Sequence, residues 1–176
     1  MVILDDTAGN RMIWGKNKHP EGVIFFDKEP NLAIPADVIG AWDKLPFKDD
    51  SFDCVIFDPP HQVASPKTKW ASDPKGEKCA WYGYFRTRHQ LRAEIYKAQK
   101  EFARVSSRLC LKWYDGEVEI SRFLTLFTQW KPVFIQKYVH NTKTRRNNEN
   151  GETYWVKMVR RRQVLNIGDD LTDNRG

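Results

Sequence analysis

The sequence predicts an α/β protein built on a mostly parallel sheet, and three observations predict it. Short apolar runs rich in β-branched or aromatic residues alternate with turn-forming or helical stretches, the pattern of strands joined by crossovers. One run, Cys54-Val55-Ile56-Phe57, is apolar throughout, as expected of a central strand buried on both faces. With 176 residues, 40% of them hydrophobic, the chain can form one continuous core without disulfides or a structural metal.

Seven strands are predicted, at 2–5, 22–27, 37–39, 53–58, 108–113, 133–139 and 153–159. The clearest helix spans 88–105, where Leu91, Ile95, Ala98, Phe102 and Val105 form one apolar stripe. Thr87 and Gln90 have capping-box spacing at its start. A second helix is predicted over 118–130, turning Ile120, Phe123, Leu124, Phe127 and Trp130 to the core. The connections after the second and third strands are too short for full helices, since Pro30 and Pro35 interrupt the first and 44–51 reads as a polar turn. One face of the sheet is therefore expected to be thinly covered, leaving either a partner surface or a few exposed apolar side chains. Residues 141–151 read as an exposed hairpin loop and 169–176 as a frayed tail. The organisation expected is one domain over 1–165, with a loop at 62–86, followed by a terminal tail at 166–176.

Lys and Arg outnumber Asp and Glu by 29 to 23, and the resulting charge of +6 favours anionic partners or reflects surplus surface lysines. Cys54, Cys79 and Cys110 are odd in number and lack the paired spacing of zinc or redox sites, so no metal is expected and the natural compartment is cytoplasmic. No stretch approaches the roughly 18 apolar residues of a membrane span, and the opening residues lack a basic region followed by an apolar run, so no membrane partner is expected.

The segment Leu4-Asp5-Asp6-Thr7-Ala8-Gly9-Asn10-Arg11 follows the first strand and opens a short helix, a junction where small residues let backbone amides approach a ligand. Roughly 20 residues on, Asp27 ends the second strand, where a carboxylate can accept both hydroxyl protons of a ribose. Together they point to an adenosine-containing cofactor, the alternative being an ordinary strand-turn-helix with surface acids.

At these residues the chain resembles the class I, seven-stranded S-adenosylmethionine-dependent methyltransferases. In that family an Asp, a small or aromatic residue and a Gly contact the methionine part of the cofactor, and Asp5, Thr7, Ala8 and Gly9 match them; Arg11 stands where glycine is usual. The resemblance implies a Rossmann-like three-layer sandwich with the last strand antiparallel. It also implies S-adenosyl-L-methionine as cofactor, held by Asp5, Thr7, Ala8, Gly9, Asp27 and Lys28. A nicotinamide enzyme would need a tight Gly-x-Gly-x-x-Gly, which is absent. The run from Leu45 to Val55 resembles the segment before the family's fourth strand, where an acid usually meets the adenine amine. This chain has Ala41 and Trp42 instead, so Trp42 is read either as an adenine-stacking wall or as plain core.

Asp58-Pro59-Pro60-His61 ends the fourth strand. An exocyclic amine on adenine or cytosine is a weak nucleophile because its lone pair is delocalised into the ring. Two acceptors aimed at its hydrogens draw the nitrogen towards tetrahedral geometry, and a carboxylate steadies the developing positive charge. Asp58 supplies the carboxylate and the Pro59 carbonyl the second acceptor, while Pro59 and Pro60 fix the chain and remove competing donors. A strand-terminating turn is the alternative. His61 stands where amino-methyltransferases with an acid-Pro-Pro-aromatic motif place a ring on the flipped base; His is the less usual choice and titrates near neutrality.

Within 62–86, Lys67, Lys69, Lys75 and Lys78 interleave with aromatics. Such a loop suits closure over a nucleotide, with Trp70, Trp81, Tyr82 and Tyr84 binding substrate, or it is a lid packed by its own rings. Arg145, Arg146, Arg160, Arg161 and Arg162 extend the basic track or form a solvated charge run.

The resemblance covers 4–160 and is nearest to compact bacterial or phage amino-group DNA methyltransferases. It implies methyl transfer to an exocyclic amino group in DNA or RNA, adenine favoured over cytosine. Those enzymes usually carry a target-recognition domain, for which this chain has no room, and the helix that normally precedes the first strand is missing. A protein partner, a homodimer or structured RNA is therefore expected to supply specificity. Two other readings stand: a protein-glutamine or small-amine methyltransferase, whose related motif usually begins with Asn, and a non-catalytic nucleic-acid-binding module, which Arg11, Ala41 and His61 favour.

Overall fold

A computed structural model describes residues 1–63, 83–138 and 152–161. Its strands are β1 (Ile3–Asp5), β2 (Val23–Asp27), β3 (Val38–Ile39), β4 (Cys54–Phe57), β5 (Arg108–Tyr114), β6 (Trp130–Tyr138) and β7 (Thr153–Arg160). They form one sheet in the order β3-β2-β1-β4-β5-β7-β6. All pairings from β3 to β5 are parallel, and β7 runs antiparallel to both β5 and β6. This is the Rossmann-like, mostly parallel seven-stranded α/β fold that the sequence predicts. Strand order reverses between β1 and β4, and in open sheets such a switch point is where the carboxyl ends of strands open a crevice for a ligand.

The long helix α1 (Arg88–Val105) has its predicted bounds. Gln90 N donates to Thr87 Oγ1 at 3.0 Å, but Gln90 Oε1 accepts from Arg86 N rather than from Thr87 N, so the capping box closes one residue early. Leu91, Ile95, Ala98, Phe102 and Val105 are buried in one cluster with Val55, Phe57, Leu109, Leu111 and Trp113 of the sheet. The rings of Phe57 and Phe102 lie 4.8 Å apart.

The second helix is much shorter than the apolar pattern over 118–130 predicts. Here α2 covers only Ile120–Leu124, and β6 already begins at Trp130. Beyond α2 the N–H groups of Leu126, Phe127 and Trp130 bond three residues back, in successive tight turns. Two side chains account for the stop. Thr125 Oγ1 donates to Arg122 O at 2.7 Å, competing with helix continuation. Buried Gln99 of α1 donates from Nε2 to Leu126 O at 2.8 Å and accepts at Oε1 from Gln129 N at 3.1 Å. The apolar side chains still reach the core, with Phe123 stacked on Trp113 at 3.6 Å and Phe127 and Trp130 buried.

The opposite face of the sheet is thinly covered. A single 3-10 turn, Met12–Trp14, stands where a short helix is expected after β1, and the connection from β2 to β3 carries no helix; the helix-free connection from β3 to β4 packs on α1 instead, with Leu45 N donating to Glu101 and Arg104 donating to Leu45 O and Phe47 O. Arg11 does the holding on the thinly covered face. Its backbone is left-handed (φ 55°, ψ 35°), and its buried guanidinium lies 3.7 Å from the Phe25 ring centroid. It donates to Lys18 O and Pro35 O at 2.8 Å each. The departure from the family pattern at Arg11 is therefore a packing device. Farther across the same face, Cys110, Phe134, Gln136, Tyr138, Trp155 and Lys157 line a shallow groove of about 320 Å³.

The predicted hairpin loop at 141–151 and the tail lie outside the described residues. Among the described residues no helix is long and apolar enough to cross a membrane. Because among the described residues Gln99 alone satisfies Leu126 O and Gln129 N, Gln99→Leu is expected to lower the unfolding free energy by about 2 kcal/mol, the cost of two unpaired part-buried groups. Urea denaturation measures it, and a loss below about 0.5 kcal/mol would contradict the account of the helix stop.

Candidate active site

Parallel pairing sets the site. β1 and β4 run in the register Asp5↔Ile56, so the segments leaving their carboxyl ends lie side by side. Asp6 N donates to Ile56 O at 3.0 Å, and Asp58 N donates to Thr7 Oγ1 at 2.6 Å. On the other flank the turn after β1 leans on β2: Ala8 N donates to Phe26 O at 3.1 Å and Gly9 N to Asp27 Oδ2 at 2.8 Å. Gly9 has a φ of 47°, a left-handed backbone that glycine adopts without a Cβ penalty. Thr7, Gly9, Asp27 and Asp58, from three strand ends, thus form one hydrogen-bonded rim.

Acidic groups crowd this rim. Asp5 is buried; its Oδ2 accepts from Trp14 Nε1 at 2.7 Å, while Oδ1 has no hydrogen-bond partner among the described residues. Burial, reinforced by Asp58 and Asp27, pushes its pKa up to about 6 in spite of the Trp14 bond. Asp6 is buried with both oxygens unpartnered among the described residues, and burial together with Asp5 and Asp27 holds its pKa well above the usual carboxylate range. Asp58 is also raised by loss of solvent, but Lys112 and His61 oppose the rise. Lys112 Nζ donates to Asp58 Oδ2 at 2.6 Å. The His61 ring packs edge-on against Tyr114 of β5 at 5.0 Å.

The remaining candidates fall into three groups. Lys28 and Trp42 come together, with Lys28 Nζ 5.5 Å from the Trp42 ring centroid; Trp42 also packs on Phe57 at 5.5 Å and stacks on Phe85 at 6.4 Å. Tyr84 is exposed at the foot of the 62–86 loop, whereas Phe85 is core. That foot closes beside Asp58-Pro59-Pro60-His61: Phe85 N donates to Gln62 O at 2.9 Å, and Val63 N donates to Glu117 Oε2 at 2.6 Å. Gly83 has a φ of 67°, and a Cβ there would sit 3.1 Å from Pro60 Cγ. Trp70, Trp81, Tyr82, Lys67, Lys69, Lys75, Lys78, Arg145, Arg146 and Arg162 lie outside the described residues.

Arg160 and Arg161 do not extend a free basic track. Arg160 donates to Ala103 O and pairs with Asp50, and Arg161 donates to Trp130 O, so both clamp backbone.

Sequence reasoning missed Lys112, Asp6, Trp14 and Glu117. Lys112 had a signal: it interrupts the apolar run Leu109-Cys110-Leu111-Lys112-Trp113, where a charge within a central strand needs a partner. Among the described residues no group of His, Cys, Asp and Glu is suited to a metal ion.

No protein-family model and no curated protein matches the chain. Solved structures do. A protein from Pyrococcus horikoshii OT3 is 14% identical, the match covering 90% of this chain and 81% of that one at a TM-score of 0.54. A SAM-dependent methyltransferase from Methanosarcina mazei is 13% identical, with 90% and 91% covered and a TM-score of 0.51. A putative RNA methyltransferase from Pyrococcus horikoshii is 12% identical, with 90% and 74% covered and a TM-score of 0.51. At these identities the likeness is one of fold, and the chain has the fold of the SAM-dependent methyltransferases.

The unpartnered Asp6 carboxyl makes stability depend on pH. Its folded pKa lies above the usual 3.8, so ionisation costs stability as pH rises past that value. Asp6→Asn is expected to raise Tm near neutral pH, with the gain vanishing below about pH 4. Melting curves across pH check it; an equal gain at all pH values would contradict the assignment.

Proposed function

We propose that this protein transfers a methyl group from S-adenosylmethionine to an exocyclic amino group of a nucleic-acid base, adenine in preference to cytosine. The observation that carries the reading is the hydrogen bond from Asp58 N to Thr7 Oγ1, which ties the carboxylate-bearing tip of β4 to the turn held by Asp27. The buried oxygens of Asp5 and Asp6 beside that turn that have no partner among the described residues fit a cofactor that carries positive charge. Asp5, Thr7, Ala8, Gly9, Asp27, Lys28 and Trp42 would hold it, with Asp27 on the ribose and Trp42 against the adenine. When bound, S-adenosylmethionine supplies an electrophilic methyl group on a sulfonium, and the electrons of the broken S–C bond stay with sulfur.

The chain's own residues prepare the nucleophile. Asp58 accepts a hydrogen bond from one amine N–H and the Pro59 carbonyl accepts the other, freeing the lone pair that forms the new N–C bond. The surplus proton then leaves the methylated nitrogen for Asp58 or water. His61 and Tyr84, with Trp70, Trp81 and Tyr82 of the same loop, offer rings to the base. The charge of +6 favours a polyanionic substrate, and the putative RNA methyltransferase among the fold neighbours supports the same substrate class. The thinly covered sheet face gives a protein partner or a second copy room to supply target recognition.

The test separates the two halves of the site. Asp58→Ala is expected to abolish transfer of labelled methyl groups to total RNA and denatured DNA while leaving S-adenosylmethionine affinity, measured by calorimetry, within a few-fold. Asp27→Ala is expected to weaken that affinity by about tenfold or more. Equal loss of binding in both variants would overturn the division of labour.

A further inference from the structure

We infer that Lys112 is the positioning residue of this site: its ammonium keeps the Asp58 carboxylate ionised and turned so that its second oxygen faces an amino substrate. The inference rests on the methyl-transfer reading and deepens it.

Three observations lead to it. The ion pair is close, Lys112 Nζ to Asp58 Oδ2 at 2.6 Å, with side chains only 31% and 25% exposed, so it is partly withdrawn from screening solvent. The contact uses one carboxylate oxygen alone. Oδ1 accepts no hydrogen bond among the described residues, and it is not sealed from solvent without a partner. The backbone on both sides is fixed as well. Asp58 N is bound by Thr7 Oγ1, and Lys112 is held in the sheet opposite Trp155. A carboxylate so held gives one oxygen to a cation and keeps the other, among the described residues, clear of hydrogen-bond donors.

The charge balance gives Lys112 its importance. Asp58 is faced by Asp5 from β1, by Lys112 from β5, and by His61 from its own loop, with Tyr114 of β5 against the His61 ring. Loss of solvent favours the protonated form of Asp58. A protonated carboxyl would place an O–H donor where an amine N–H needs an acceptor. Lys112 opposes this more strongly than His61, through both its charge and its hydrogen bond.

The test uses the full chain, with Lys112→Met and Lys112→Arg variants whose folding is checked by thermal melts. Aspartate carboxyl NMR follows the titration of Asp58, and labelled methyl transfer to total RNA and denatured DNA is measured from about pH 5 to about pH 9. In Lys112→Met the Asp58 titration is expected to move to higher pH. Transfer at neutral pH should fall about a hundredfold or more, recover in part as pH rises, and leave S-adenosylmethionine affinity within a few-fold. Lys112→Arg is expected to restore both the titration and most of the rate.

An Asp58 titration unmoved in Lys112→Met overturns the inference whatever the activity. So does a rate loss with an unchanged acid limb, or a loss of cofactor affinity equal to the loss of rate. If the titration moves but the unaltered chain binds S-adenosylmethionine and methylates neither nucleic acid, the substrate reading fails, and the pair is an electrostatic contact without a positioning role.

Discussion

The contact on which the site depends is the ion pair between Lys112 and Asp58. Four aspartates, at positions 5, 6, 27 and 58, gather at neighbouring strand tips, where ionised carboxylates repel one another. The structure sorts them by environment. Asp5 and Asp6 are buried and driven towards the protonated form, Asp27 is engaged by the amides of Gly9 and Glu29, and among the described residues Asp58 alone of the four receives a cation. Carboxyls with such different surroundings can take different roles within one site.

The backbone constraint is as strict as the electrostatic one. Side-by-side parallel pairing of β1 and β4 makes the turn after one strand a neighbour of the turn after the other, and the Thr7 hydroxyl joins them. Proline at 59 and again at 60 stiffens the second turn and removes its amide donors. Gly83 then lets the returning loop come against Pro60, since a Cβ there would press on the proline ring. The loop at 62–86 therefore leaves from the motif and returns to it.

The second face of the sheet shows how little helix the fold requires. Arg11 links the turn after β1 to the segment before β3 with a planar guanidinium that stacks on Phe25 and reaches two carbonyls. One buried side chain thus stands in for helix packing across β1 and β2. At the other end of the sheet, half-exposed Phe134 and Tyr138 of β6 line a groove with Trp155 and Lys157 of β7.

Much of this was legible along the chain. Strands announced themselves as short apolar runs, α1 by its stripe and cap, and the rim by Asp5, Gly9, Asp27 and Asp58 at strand ends, because these signals depend on neighbours within a few residues. The extent of α2 was not legible: Phe123, Phe127 and Trp130 were rightly read as core, but Gln99, from another helix, stops the backbone. Nor was the partner of Asp58. Local sequence determined that a carboxylate would stand at the tip of β4; only the packing of β5 beside it decided which cation it meets, since that contact joins residues far apart in the chain.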